Sequence, residues 1–164
     1  MRVFWLMTAL LVAAGALFGC RSDPESDWRD RELPGGIWVA EPEGLRIHPS
    51  TRFVEEEGER FLDVRVEVVD VFGDSIKHAM RYRFELWAGG LGGTAQTRVE
   101  DWEAEAMTAI QQRSAYDPVT RSYVWRLSID PPLTELLRPR LLALAQTPDG
   151  KRLQAEANLR RFEP

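Results

Sequence analysis

The sequence predicts an all-β domain: an antiparallel β-sandwich of about six to eight strands, preceded by a signal or anchor segment. Three observations predict it. Apolar and polar residues alternate along several segments of five to nine residues, and prolines and glycine-containing turns separate these segments. A long apolar stretch, followed by a charged stretch with prolines and glycines, occupies the start of the chain.

The first 19 residues have the composition of a secretory signal peptide. They contain one charged side chain, Arg2, followed by an apolar stretch from 3 to 18 that only Thr8 interrupts. A helix needs about 20 apolar residues to cross the hydrocarbon core of a bilayer, and this stretch is slightly shorter. A basic start, an apolar middle and a small final residue predict a signal peptide over 1–19. An uncleaved anchor helix and a signal peptide without lipidation are the alternatives.

Residues 17–20, Leu-Phe-Gly-Cys, resemble the lipobox of bacterial lipoproteins. The resemblance implies that the sulfur of Cys20 receives a diacylglyceryl group and that cleavage leaves Cys20 as the first residue. Two or three acyl chains at one residue anchor a protein stably, because each buried CH₂ contributes about 0.8 kcal/mol. We therefore expect a membrane-anchored lipoprotein of the bacterial cell envelope that faces the periplasm or the exterior. Arg21, in place of an aspartate, favours the outer membrane.

Residues 21–36, RSDPESDWRDRELPGG, are charged and contain two prolines and two glycines. Such a segment cannot bury enough apolar surface to fold, so we predict a lipidated cysteine and flexible tether over 20–36 and a folded domain over 37–164. Without the signal peptide the chain has 20 basic and 26 acidic residues, a formal charge of −6. This balance argues against nucleic acid or anionic lipid as a partner, because binding to either requires a basic surface.

Two segments, 61–69 and 78–87, alternate apolar and polar side chains with a period of two. This pattern is typical of strands with one buried and one solvated face. In both segments the apolar residues carry even numbers: Leu62, Val64, Val66 and Val68 in the first, and Met80, Tyr82, Phe84 and Leu86 in the second.

The segment between these two strands contains a Phe-Gly-Asp turn, which predicts that they pair as an antiparallel hairpin. Opposite charges stabilise cross-strand pairs by roughly 0.2–1 kcal/mol, and like charges destabilise them. The register that satisfies this rule places Glu67 opposite Arg83 and Arg65 opposite Glu85.

Further strands are predicted on both sides of this pair. The segments 36–41 and 45–49 are expected to be short first strands. The segment 121–129 is expected to bury Tyr123, Trp125, Leu127 and Ile129 and to expose Ser122, Arg126 and Ser128. The segments 140–146 and 151–160 are expected to pair through a tight turn at Asp149-Gly150, after a helical turn at 134–138.

The segment 98–113 fits two structures. Val99, Trp102, Ala106 and Ile110 follow helical spacing, whereas Trp102, Ala104 and Ala106 alternate as in a strand. We expect a strand over about 98–106 followed by a helical turn over 107–113, with a short helix near 103–113 as the alternative.

The lipobox, the charged tether and the segments VVDVFGDSIK, YDPVTRSYVWRL and TPDGKRLQAEANL together resemble uncharacterised bacterial lipoproteins with one extracytoplasmic domain. The resemblance implies an immunoglobulin-like or C2-like β-sandwich. It brings no catalytic residues with it.

The sequence contains no recognisable catalytic pattern. His48 and His78 have no metal-ligand spacing, no serine occupies a Gly-x-Ser-x-Gly turn, and the glycine-rich segment 89–93 lacks the lysine of a phosphate-binding loop. We therefore expect no enzyme activity and no cofactor, with an envelope hydrolase as the least favoured alternative.

Calcium binding is one alternative function. Asp70 and Asp74 flank Phe72-Gly73 in a predicted loop, and Ca²⁺ takes six to eight oxygen ligands. The competing interpretation is that these residues simply form the turn, because aspartate and glycine favour turns.

Carbohydrate binding is a second alternative function. Phe61 and Trp87 have odd numbers, so they fall on the solvated face of the predicted hairpin, where exposed rings could stack on sugars. The competing interpretation is that both rings pack beneath the loop at 89–93.

Taken together, the sequence predicts a lipid-anchored, extracytoplasmic β-sandwich that acts as a non-catalytic binding or structural module of the cell envelope. Its partners would be the membrane, through the N-terminal lipid, and another envelope protein or a glycan. A carbohydrate- or calcium-binding accessory domain is the alternative.

Overall fold

A computed structural model describes residues 40–89 and 96–160. Within them, ten strands form two antiparallel sheets that pack face to face, so the predicted all-β sandwich is confirmed. The signal peptide, Cys20 and the tether lie outside the described residues, as do 90–95 and 161–164. None of the helices in the described part is long and apolar enough to cross a bilayer.

The first sheet is built around one central strand, β3. Along one edge, β3 pairs with the short strands β1 and β2, and along the other edge it pairs with β4 and β8. A two-residue strand, β7, completes the sheet beyond β8. The bounds are β1 Gly44–Ile47, β2 Arg52–Glu56, β3 Glu59–Val69, β4 Ser75–Ile76, β7 Tyr116–Asp117 and β8 Ser122–Ser128.

The second sheet has four strands in the order β10, β9, β5 and β6. A short helix, α1 (Ala109–Ala115), leads from this sheet back to β7 in the first sheet, and a 3-10 turn, Leu133–Glu135, precedes β9. The strands are β5 Met80–Gly89, β6 Gln96–Ala106, β9 Leu137–Gln146 and β10 Arg152–Asn158.

The core lies between the sheets and contains the residues that the period-two pattern predicts. The even-numbered apolar residues of β3 and β5 are buried almost completely. At the centre, Tyr82 packs against the rings of Phe84, Tyr123 and Trp125, with ring centroids 4.6–6.2 Å apart. Aromatic pairs at such distances contribute beyond the area they bury, so this cluster joins β5 of one sheet to β8 of the other.

The predicted hairpin between β3 and β5 is wrong. The two strands belong to different sheets, and the segment between them crosses from one sheet to the other through β4. The expected charge pairs are also absent: Glu67 lies 3.2 Å from Arg46, and Arg83 lies 3.1 Å from Asp101. Alternation identifies the buried face of a strand but does not identify the strand beside it.

The other local predictions hold in part. The strand predicted at 36–41 lies mostly outside the described residues, and Ala40 and Glu41 are not in a strand. The helical turn predicted at 134–138 is a 3-10 turn at Leu133–Glu135, and β9 already begins at Leu137. Segment 98–113 is a strand followed by a helix: the strand ends at Ala106 as predicted but begins at Gln96, and the helix spans Ala109–Ala115 rather than 107–113. Thr108 and Gln111 form a capping box, which satisfies the first N–H groups and fixes where the helix starts. The β9–β10 hairpin forms as predicted, with Gly150 at a φ of 93° in its turn. Ser122, predicted to be exposed, is buried, and its hydroxyl bonds that of Thr120.

Candidate ligand-binding face

The outer face of the second sheet carries a groove of about 920 Å³. The groove lies where β5 and β9, the central strands, meet the ends of β6 and β10. The register places outward side chains from all four strands side by side in two rows. Across the sheet from β6 to β10, the first row is Glu105, Arg81, Gln146 and Arg152, and the second is Glu103, Arg83, Leu144 and Gln154.

The groove is polar and carries both signs of charge. Arginine, glutamate and glutamine side chains alternate around one apolar floor residue, Leu144. Nε of Arg81 lies 3.2 Å from Oε1 of Glu105, and both side chains are well exposed. An exposed pair of this kind contributes at most about 1 kcal/mol to stability. Its main effect is therefore to orient donors and acceptors toward the groove.

Glu85 lies beside the groove and anchors the charge network of this face. Its carboxylate is largely buried, and a buried charge requires partners. Nε1 of Trp87 donates to Oε2 at 3.2 Å, and Nη1 of Arg98 donates to Oε1 at 3.4 Å. Nε of Arg83 lies 3.2 Å from the same Oε1, which is an ion pair without hydrogen-bond alignment. Glu85 thus fixes one tryptophan and two arginines on the sheet surface.

The two aromatic candidates from the sequence are not brought together. Trp87 lies on the outer face of the second sheet, two rows beyond Arg83, and the guanidinium of Arg140 sits 5.6 Å from its ring centroid. Phe61 lies on the outer face of the first sheet, with the guanidinium of Arg126 5.4 Å from its ring centroid. Each ring is only partly exposed. The shared aromatic platform that the hairpin implied therefore does not form, because β3 and β5 are in different sheets.

The two candidate calcium ligands lie in the β3–β4 turn. The side chain of Asp70 is buried, and its Oδ1 accepts the backbone N–H groups of Phe72 and Asp74 at 2.9 and 3.0 Å. Gly73 completes the turn with a φ of 83°. Asp70 therefore satisfies backbone donors of its own turn, as aspartates commonly do. Across 40–89 and 96–160, no group of three or more histidine, cysteine, aspartate and glutamate residues is arranged to hold a metal ion.

A second cavity, of about 820 Å³, lies beside the loop between β1 and β2. Nδ1 of His48 lies 2.7 Å from Oγ of Ser50 and accepts the N–H of the same serine at 3.2 Å. Nε2 of His48 is 4.0 Å from Glu67. These contacts join residues two apart in one loop, and Thr51 ties that loop to the backbone of Arg65. Their effect is to hold the loop between β1 and β2 against β3 at the edge of the sheet.

The groove is not predicted by the sequence patterns. The alternation in 78–87 places Arg81 and Arg83 on a solvated face, and this was the available signal. Their neighbours Glu103 and Glu105 come from the segment whose secondary structure was left open, and Gln146 and Gln154 come from the last hairpin. Only the strand order of the second sheet brings these three segments together.

Compared with protein-family models, curated proteins and solved structures, the chain matches none of them.

Proposed function

We propose that this chain is a lipoprotein of the bacterial cell envelope whose β-sandwich is a non-catalytic binding module. The N-terminal sequence supports the anchor: a signal-like apolar stretch ends at the lipobox-like residues 17–20, and a charged tether follows. The membrane is then one partner, through the acyl chains on Cys20. The other partner is an envelope protein or a glycan.

The observation that carries the binding role is the groove on the outer face of the second sheet. Binding sites on strands are more rigid than sites on loops, because the sheet fixes the backbone. Here four strands hold guanidinium, carboxylate and amide groups in adjacent rows around Leu144. Such groups form directed, often paired, hydrogen bonds with a polar partner.

The anchor is tested by fractionating cells that express the natural chain or a Cys20→Ser variant. We expect the natural chain in the membrane fraction and in the detergent phase after phase separation, and the variant in the aqueous phase. Equal partitioning of the two chains would contradict lipid attachment at Cys20.

The groove is tested by capturing envelope components with purified protein. Arg81→Glu reverses a charge in the groove, and its only ion pair among the described residues is the exposed one with Glu105. Arg52→Glu makes the same change on the outer face of the other sheet and serves as the matched control. We expect Arg81→Glu to lose a captured component that the natural chain and Arg52→Glu retain. If both variants lose it equally, the groove is not the binding surface.

A glycan ligand is the second candidate, favoured because Trp87 lies on the same outer face as the groove. A tryptophan there offers a flat apolar surface next to polar groups. Retention on insoluble envelope polysaccharide should fall for Trp87→Ala but not for Phe61→Ala, whose ring lies on the opposite sheet. Equal retention of the two variants would exclude Trp87 from glycan binding.

A further inference from the structure

The exposed apolar side chains of the domain gather at one end. The described residues include four large apolar side chains that are mostly exposed, and all four belong to connections rather than to strands. They are Val71 (71% exposed), Phe72 (75%), Ile110 (74%) and Val119 (90%). Single exposed apolar residues are ordinary on protein surfaces, whereas a group at one end indicates contact with something apolar.

The strand pairing places these connections together. β3 ends at Val69, and the antiparallel β8 begins beside it at Ser122, so the loops 70–74 and 118–121 project from the same end of the first sheet. Nη2 of Arg121 donates to the carbonyl of Ser75 at 2.9 Å, which joins the two loops directly.

The helix that carries Ile110 covers the same end. It follows β6, whose last residue, Ala106, pairs with the first residue of β5, Met80. Nε2 of Gln112 donates to the carbonyl of His78 at 2.8 Å, and His78 in turn donates its N–H to the hydroxyl of Tyr123 near the start of β8. The helix is thus fixed to both sheets at the end from which the two loops project.

The first described strand, β1, begins at this end as well. The N–H of Glu43 donates to the carbonyl of Val69 at 2.7 Å, and Gly44, the first residue of β1, pairs with Val69. The 20 residues from Cys20 to Ala40 can span at most about 70 Å, the length of a fully extended chain. An anchor at Cys20 would therefore hold the apolar end close to the membrane.

The charged side chains at this end have both signs, since the same connections also contain Asp70, Asp74 and Asp149. Both lysines of the chain lie here: Lys77 sits over the ring of Tyr116 at 4.2 Å, and Lys151 pairs with Glu43 at 2.7 Å. The carboxylate of Asp117 is paired with Arg65 at 2.7 Å. Long basic side chains next to apolar ones can keep their charges in the headgroup layer while their stems pack in apolar surroundings.

We propose that the loops 70–74 and 118–121, together with Ile110, insert into the surface of the bilayer that holds Cys20. This inference rests on the proposed lipidation, because the tether keeps the loops at a high effective concentration near the lipid. Weak apolar insertion is then sufficient, and a net basic surface is not required. The strands would stand away from the membrane, which leaves the groove of the second sheet open to a partner.

The test uses the lipidated full-length chain in vesicles of phosphatidylethanolamine and phosphatidylglycerol. Val119→Cys carries an environment-sensitive fluorophore, and Glu59→Cys, at the opposite end of β3, carries the same label as the control. Because the sulfur of Cys20 is occupied by lipid, each introduced thiol is the only reactive one. We expect a quencher on the lipid acyl chains to quench the probe at residue 119 and to leave the probe at residue 59 unaffected.

A second variant measures the contribution of one side chain. Phe72→Ser, combined with the probe at residue 119, removes a large exposed ring from the adjacent loop without touching the core. We expect the ratio of inserted to free domain to fall about tenfold or more, as expected when one large apolar side chain no longer becomes buried. An unchanged ratio would remove Phe72 from the membrane contact and overturn the proposal for loop 70–74.

The outcomes separate this inference from the anchor on which it rests. If the protein floats with the vesicles but both probes are equally unquenched, the anchor stands and the insertion is wrong. If the protein does not float, the lipidation itself fails, and the insertion fails with it. A photo-crosslinker at residue 119 identifies the occupant: crosslinks to lipid support the proposal, and a crosslinked dimer would show that a second copy covers this end instead.

Discussion

Two core tyrosines permit a test in which the same chemical change should have opposite effects. Tyr82 is 2% exposed, and its hydroxyl has no hydrogen-bond partner among the described residues. Burial, reinforced by the neighbouring Tyr123, raises the pKa of this hydroxyl far above its ordinary value. A hydroxyl removed from water without a partner costs about 1–3 kcal/mol. Tyr82→Phe removes that cost and leaves the ring contacts in place.

The hydroxyl of Tyr123, unlike that of Tyr82, has hydrogen-bond partners among the described residues. It accepts the N–H of His78 at 3.1 Å and also contacts the side-chain oxygen of Gln112. Tyr123→Phe would leave these partly buried groups without their partner. We expect it to lower the free energy of unfolding by about 1–3 kcal/mol, whereas Tyr82→Phe should raise it by up to about 1–2 kcal/mol.

Urea denaturation of the mature chain, with Cys20→Ser in both variants and in the reference, measures the two changes. The slope of the unfolding free energy against urea concentration should be the same in the variants and the reference. Differences in the midpoint urea concentration then report differences in stability alone. A loss of 1 kcal/mol or more in Tyr82→Phe would refute the reasoning, since it would mean that the hydroxyl has a partner, such as a bound water.

Two further predictions concern charged groups on the outer faces. Arg65, the N–H of Val119 and the hydroxyl of Thr120 lower the pKa of Asp117 from its ordinary value of 3.8 to about 2. The ionised carboxylate of Asp117 therefore stabilises the folded state above pH 3.8, and this contribution is lost as the pH falls toward 2. Asp117→Asn should therefore reduce the loss of stability measured by urea unfolding between about pH 5 and about pH 2; an unchanged acid dependence would contradict the assignment. Glu85→Ala leaves the Trp87 and Arg98 donors without their acceptor, removes the ion pair with Arg83 and should cost about 1–3 kcal/mol, with Glu85→Gln costing less. Equal losses in the two variants would indicate that packing, and not hydrogen bonding, governs this position.

The buried faces of the strands could be predicted from sequence because the period of a strand is a local property. Leu62 and Phe84 were correctly placed in the core on that basis. The partners of each strand could not be predicted in the same way, and the hairpin expected between β3 and β5 does not form. Each charged residue has several partners of opposite sign within the chain, and the favourable register with Arg83 opposite Glu67 was one of many that chemistry allows.

The candidate surfaces depend on this missing information. The groove requires the order of four strands, and the apolar end requires knowledge of which connections share an end of the sandwich. Val119 and Phe72 are ordinary loop residues in the sequence, and nothing local distinguishes them. In the structure both residues lie at the end of the first sheet where β1 begins, and this position makes them candidates for membrane contact.

Lipid attachment at Cys20 underlies both the proposed function and the membrane contact, and the mass of the N-terminal fragment of the protein purified from bacterial envelopes tests it directly. We predict a fragment that begins at Cys20 and carries the mass of a diacylglyceryl group. A fragment that retains residues 1–19, or one that contains Cys20 with a free thiol, would contradict the account.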